Sequence, residues 1–336
     1  MDSNGSIINR KLLIVGNGFD IAHSLPTGYE HFKKYLSDLI REYEGLEKSK
    51  ECITLKKIPK PTIPNIYTRN NLFADYKQER KIIYWLIDDV ARKKHNIEWG
   101  KFENYLGQLR IDNVIKEWGE DDFNVHCLRD SIKDIRGFFF EWINTIDLDV
   151  AKKIEPYLSI INEKTDIALS FNYTETLESV YGMDASNICY IHGQRETDTA
   201  LRKKKSMLPF GKNNSRLEIG FGSKYVRNSR EVSKKGLLMG LFKETESIIY
   251  HHKDFFTRVA FSEIEEIYSL GFSFSDSDMP YINKICDGLK RKNSTKKITW
   301  FITPYGPNIF KKGREELHMR KCIWQAGFRG RVRKIK

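Results

Sequence analysis

The chain has 336 residues, 40% hydrophobic, 30% charged and 12% aromatic, which suits one large α/β domain with an insertion, or two domains. No stretch approaches the roughly 18 uninterrupted apolar residues of a membrane span, and MDSNGSIINRK lacks the apolar core of a secretory signal. The expected setting is therefore the cytoplasm, with no membrane contact. A net charge of +12 gathers in patches at Lys56–Lys60, Arg92–His95, Arg202–Lys205, Arg291–Lys297 and the tail FRGRVRKIK. Such patches suit either solvated faces or an anionic partner such as nucleic acid, although they match no DNA-reading motif and lack interleaved aromatics.

In chain order, Lys11–Val15 reads as a strand, Gly16-Asn17-Gly18 as a turn, and Asp20 as the start of a helix that Leu25-Pro26-Thr27 breaks early. Residues 44–70 carry three prolines and little periodicity, the mark of a loop. From 72 to 158 apolar positions recur at helical spacing, as in Ile82, Ile83, Leu86, Ile87 and Val90, or Ile132, Ile135, Phe139, Trp142 and Ile143. This block is expected to be a helical insertion packed on the sheet domain. Strand-like runs return at Ile167–Phe171, Ile188–Ile191, Leu217–Phe221, Ile264–Phe272 and Ile298–Ile302, with helices expected at Thr174–Tyr181, Glu231–Phe256 and Ser277–Lys290. Strands alternating with helices predict an α/β fold with a Rossmann-like parallel sheet covered on both faces. The division is 1–43 for the first strand, turn and helix, 44–160 for the loop and helical insertion, and 161–336 for the rest of the sheet domain with a basic tail.

Several of these runs end in small or polar residues, as buried parallel strands do when they deliver functional loops at their carboxyl ends. Gly16-Asn17-Gly18 lets backbone approach a ligand and aims helix N–H groups at an anion, without the full dinucleotide fingerprint or a P-loop lysine. Asp20 reads equally as an N-cap. In Ser170-Phe171-Asn172-Tyr173-Thr174, Asn172 sits where the strand ends, and its amide can hold a water or a ribose hydroxyl. Thr174 and Glu178 read as a capping box for the next helix. His192-Gly193 closes another strand, and an imidazole there suits a general base. His95 and His251-His252 read as solvated. In Gly271-Phe272-Ser273-Phe274-Ser275-Asp276-Ser277-Asp278, the glycine and serines suit ribose or phosphate, and Asp276 and Asp278 suit ribose hydroxyls, with Asp276 alternatively capping the following helix.

The five cysteines, Cys52, Cys127, Cys189, Cys286 and Cys322, are scattered, odd in number and form no C-x-x-C pair. That excludes a disulfide framework and a Cys₄ zinc knot, so no metal site is expected.

GNGFDIAHSLPTGYEHF, SFNYTETLE, IHG and GFSFSDSD together resemble the AbiH family of bacteriophage abortive-infection proteins, in order over most of the chain. The same segments are more distantly similar to the sirtuin-like NAD-binding fold. That second resemblance implies NAD as substrate or ligand, with Asn172 and His192 catalytic. The nucleotide contacts it implies are Gly16, Asn17, Gly18, Phe19 and Pro26 from the first turn, Phe221 and Gly222 from a strand-end Phe-Gly, and Gly271 and Ser273 from the last loop. Asp20, which stands where that fold has a small residue, and Asp276 and Asp278, read from their own chemistry, complete the candidate set. The zinc ribbon of sirtuin deacetylases has no counterpart, so deacylation is disfavoured. The resulting expectation is a phage-defence effector that hydrolyses the N-glycosidic bond of NAD or a relative. The alternatives are a nucleotide-binding sensor without turnover, or an effector that engages nucleic acid. Expected partners are a nucleotide, a phage trigger or partner protein, and nucleic acid through the basic patches, with a homo-oligomer left open.

Overall fold

The computed structural model describes residues 10–44, 138–195, 221–222, 242–261, 264–290, 297–303 and 309–335. In chain order the elements are β1 (Arg10–Val15), α1 (Asn17–Ala22), α2 (Tyr29–Glu44), α3 (Tyr157–Ile160), β2 (Ile167–Ser170), α4 (Thr176–Tyr181), β3 (Ile188–Tyr190), β4 (Phe221–Gly222), β5 (Phe242–Lys243), α5 (Thr245–His251), α6 (Lys253–Phe261), β6 (Ile264–Leu270), α7 (Met279–Lys290), β7 (Thr299–Ile302), α8 (Ile309–Gln325) and β8 (Arg331–Lys334). The chain divides into two compact units, one of residues 1–27, 143–218 and 244–336, the other of 28–142 and 219–243.

The first unit holds a six-stranded sheet in the order β3-β2-β1-β6-β7-β8, and every pair is parallel. Counting only its own strands, this is the doubly wound order 3-2-1-4-5-6, whose direction of winding reverses between β1 and β6. β1 is apolar without alternation because both faces are covered. Leu12 and Ile14 join a core with Phe255, Ile285, Trp300 and Ile323 on one face. Leu13 and Val15 join Tyr157, Leu177 and Tyr181 on the other. All four are at most 1% exposed, and each such burial is worth about 2 kcal/mol. On α7 the buried residues Tyr281, Ile282, Ile285, Cys286 and Leu289 form the single stripe that a helix lying on a sheet presents.

In the second unit, α2 buries Tyr29, Phe32 and Leu36, spaced by three and four residues along one helix face. The Phe32 ring meets Phe139 at 5.6 Å and Trp142 at 5.2 Å between centroids. β4 and β5 pair in parallel as a separate two-stranded sheet. Residues 72–137, most of the expected helical insertion, lie outside the described residues, as do Leu217–Gly220 and the first part of the helix expected over 231–256.

Three expectations about elements are corrected here. Phe221 belongs to the small β4-β5 sheet, not to the main one. The basic tail supplies β8, the sixth strand, which pairs with β7. Alternation explains it: Val332 packs against the α8-side core, while Arg331 and Arg333 stay exposed, as charged residues on an edge strand do. His252 is buried, 5% exposed, with Nδ1 3.3 Å from Cys189 Sγ, whereas His251 is exposed. Burial lowers the His252 pKa to about 4 and pushes the Cys189 thiol up, so both stay neutral.

Candidate functional site

Because every strand of the main sheet is parallel, the polar strand ends share one edge. Phe171 N–H donates to Val15 O at 2.8 Å and Ile191 N–H to Ser170 O at 3.0 Å, so the pairing runs past each strand. The register pairs Ser170 with Tyr190, and Asn172 and His192 each follow two residues later, after adjacent strands. Asn172, His192 and Gly16–Gly18 therefore lie at the carboxyl edge together.

The turns after β1 and β6 interlock at the point where the winding reverses. Gly16 N–H donates to Leu270 O and Gly18 N–H to Gly271 O, both at 3.0 Å, and Phe19 N–H donates to Gly16 O at 2.9 Å. Gly271 has φ +59, and a Cβ there would lie 2.1 Å from Phe19 N and 2.3 Å from Gly18 C. One at Gly16 would lie 2.7 Å from Gly271 O. Only glycine fits at either place. The Gly18 and Phe19 amides thus bind protein carbonyls, not an open anion cradle. In the β6 loop Phe274 also has positive φ, 57°, and is buried against Phe272 and Trp300.

Asp20 does not cap α1, whose N-cap is Gly16. Its carboxylate is 1% exposed and turns to the loop after β2. It accepts a short hydrogen bond from Thr174 Oγ1, another from Thr176 Oγ1 at 2.8 Å, and one from the Asn172 side chain. Burial raises its pKa to about 6, opposed by those three donors, with Glu175 adding to the rise. Thr174 is thus spent on Asp20, and the N-cap of α4 is Glu175, with no side-chain cap bond.

Asn172 is 4% exposed, and among the described residues its Oδ1 has no hydrogen-bond partner. Its other end being held by Asp20, the amide orientation is set and the oxygen is left to accept from a ligand or water. His192, 3% exposed, packs by its ring against Phe171 at 5.4 Å and Tyr281 at 5.6 Å, with Nε2 3.5 Å from Asp278 Oδ1. Asp278 is further oriented by Ser275 Oγ, which donates to Oδ2 at 2.8 Å. Asp278 immediately precedes α7, so the β6 loop delivers a carboxylate to the imidazole in the turn after β3. Asp276 is exposed, and Ser273 and Pro26 are half-buried.

The sequence reading missed the pair Glu175–Arg195, joined at Nε–Oε2 2.9 Å and Nη2–Oε1 2.8 Å, with side chains 8% and 7% exposed. Arg195 Nη1 also donates to Ile146 O in a short bond, and its backbone N–H to Tyr173 O at 2.8 Å. The pair ties the loops after β2 and β3 to residues 143–146, and borders a cleft of about 500 Å³ lined also by Asp147, Asp149 and Ser179. The missed signal is the Thr-Glu-Thr run, whose two threonines face Asp20 while the glutamate between them faces Arg195. His23 is structural: Nδ1–H donates to Phe19 O and Nε2 accepts from Tyr181 OH, each at 2.7 Å, and burial lowers its pKa. Among the described residues no group of three or more His, Cys, Asp or Glu could hold a metal ion, and no helix is long and apolar enough to cross a membrane.

A doubly wound parallel sheet with a buried carboxylate, an oriented amide and an imidazole at its carboxyl edge is the architecture of α/β proteins that take ligands at the switch point of the sheet. The model of the family described as bacteriophage abortive infection AbiH matches residues 12–303, and the chain belongs to that family. No curated protein and no solved structure matches the chain. Family membership supports a role in abortive infection by bacteriophage.

Proposed function

We propose that the protein acts in abortive infection by hydrolysing the N-glycosidic bond of NAD or a related nucleotide at this edge. The observation that carries the reading is the pairing of Asn172 and His192 at adjacent strand ends. The first has a buried, oriented acceptor whose lone pairs meet no donor among the described residues; the second is held against a carboxylate. Asn172 Oδ1 accepts from the attacking water or a ribose hydroxyl. His192 takes the proton as the water oxygen bonds to the anomeric carbon. The broken bond leaves its electron pair on the pyridine nitrogen, so nicotinamide departs neutral and needs no acid. Asp20, ionised above about pH 6, favours a cationic pyridinium and the positive charge that develops on the ribose. With the Gly18 and Phe19 amides engaged, the fit is to ribose and pyridinium more than to phosphate, which falls to the side chains of Asn17 and Ser273.

A second reading, a sensor that binds nucleotide without turnover, draws on the saturation of Asp20 by three internal donors. Incubating purified protein with NAD and following nicotinamide by chromatography decides between them. Release above the spontaneous rate is the result expected of the enzyme. Saturable binding with no release belongs to the sensor.

A further inference from the structure

The last helix, its turn and the last strand form one surface at the β8 edge of the main sheet. Among the described residues of α8, Met319, Cys322 and Ile323 are buried, and Leu317, Lys321 and Trp324 are exposed. Leu317 and Trp324 are 64% and 48% exposed, seven residues apart and so on one side of the helix. Arg314 and Lys321 are exposed on the same face. Arg320 donates to Val332 O at 2.6 Å, clasping that helix side to β8. Arg329 in the connecting turn donates from Nη1 to Trp324 O at 2.9 Å, which puts a guanidinium beside the indole-bearing residue. Lys334 shares the strand face of Val332 and is exposed. Residues 309–336 contain ten Lys or Arg against two Glu, and one of those, Glu316, is paired with Arg320 at 2.9 Å.

We infer that this α8–β8 surface binds single-stranded nucleic acid. Cationic side chains that track a phosphate backbone around an exposed aromatic on which a base stacks are the elements of such a surface. In sequence the basic runs lack interleaved aromatics; the turn from α8 to β8 supplies the interleaving. A lipid surface is the poorer match, because Met319, Cys322 and Ile323 of α8 are taken by the core and, among the described residues, Leu317 and Trp324 alone remain for insertion. The surface does not depend on the glycosidase reading, since neither His192 nor Asn172 belongs to it.

The test is fluorescence anisotropy of labelled single-stranded DNA and RNA 15-mers and a matched duplex, titrated with the full chain at several salt concentrations. Single strands are expected to bind more tightly than duplex, with an affinity that falls steeply as salt rises, since about four neutralised phosphates give a log–log slope of about −3. Trp324→Ala should weaken binding about tenfold and Trp324→Phe should restore most of it, as stacking requires. Lys321→Glu with Arg329→Glu should weaken it further and flatten the salt slope, while Lys152→Glu with Lys153→Glu, exposed elsewhere, changes little. Melting curves of each variant establish that it is folded. Absence of binding at low salt, binding untouched by the Trp324 and Lys321/Arg329 changes, or preference for anionic phosphatidylserine vesicles over oligonucleotides would each overturn the inference.

Discussion

Replacing Gly271 with alanine tests the interlock of the two strand-end turns, and Gly182 provides its control. Both glycines lie at positive φ, +59 and +75, so an alanine at either bears the left-handed penalty of about 1 kcal/mol. At Gly182, the C-cap of α4, a Cβ meets nothing within 4 Å. At Gly271 it would lie 2.1 Å from Phe19 N and 2.3 Å from Gly18 C, both backbone atoms that no rotamer change can move. The turns must separate by about an ångström or more. That breaks the bonds from Gly16 N–H to Leu270 O and from Gly18 N–H to Gly271 O, both 3.0 Å, each worth about 1 kcal/mol net and more where the donor stays buried. The expected losses are about 4 kcal/mol for Gly271→Ala and about 1 kcal/mol for Gly182→Ala, read from urea unfolding midpoints at constant m. Equal losses for the two variants would refute the claim that the β1 and β6 turns are locked backbone to backbone.

Asp20 makes stability depend on pH in a defined sense. Its folded pKa, about 6, lies above the ordinary 3.8, so the protonated folded form is favoured. That contribution is fully present below about pH 4 and is lost as pH rises through 6, to a total of about 3 kcal/mol. Asp20→Asn should therefore gain on the wild type by up to that amount between pH 4 and pH 7 in parallel denaturation series; a difference that stays constant with pH would contradict it. Arg195→Ala leaves the Glu175 carboxylate buried without its cation and should lower stability by about 3–5 kcal/mol, whereas Arg195→Met with Glu175→Leu should recover most of it. A double variant no better than the single one would mean that the contact to Ile146 O, not the ion pair, is what matters. Asp278→Asn should shift the pH profile of nicotinamide release at its low-pH limb, because the carboxylate faces His192 Nε2 at 3.5 Å. An unchanged profile would remove Asp278 as a positioning residue.

The parallel sheet was legible because its strands are buried on both faces: Leu12–Val15 and Ile167–Leu169 read as continuous apolar runs, and each ends in the polar residues found at the sheet edge. β8 was not, because an edge strand faces solvent and Arg331-Val332-Arg333-Lys334 carries one apolar residue to mark it. α8 was hidden for a related reason, with Leu317 and Trp324 exposed and blurring its stripe. Within the site, Asn172 and His192 were visible from their place after apolar strands. The partners that orient them are long-range: Asp20 meets Thr174 and Thr176 across more than 150 positions, and Asp278 reaches His192 across 86. Local capping rules assigned Asp20 and Thr174 to helix ends, and tertiary contact claimed both instead.

The most direct measurement of the central claim is the rate of nicotinamide release from NAD by the wild type, His192→Ala, Asn172→Ala and the double variant, each shown by its melting curve to be folded. Acceptor and base act on the same water, so each single change should abolish release and the double change should add nothing further. Phage protection should fall in step. Release that persists in His192→Ala at the wild-type rate, or protection retained without release, would contradict the account.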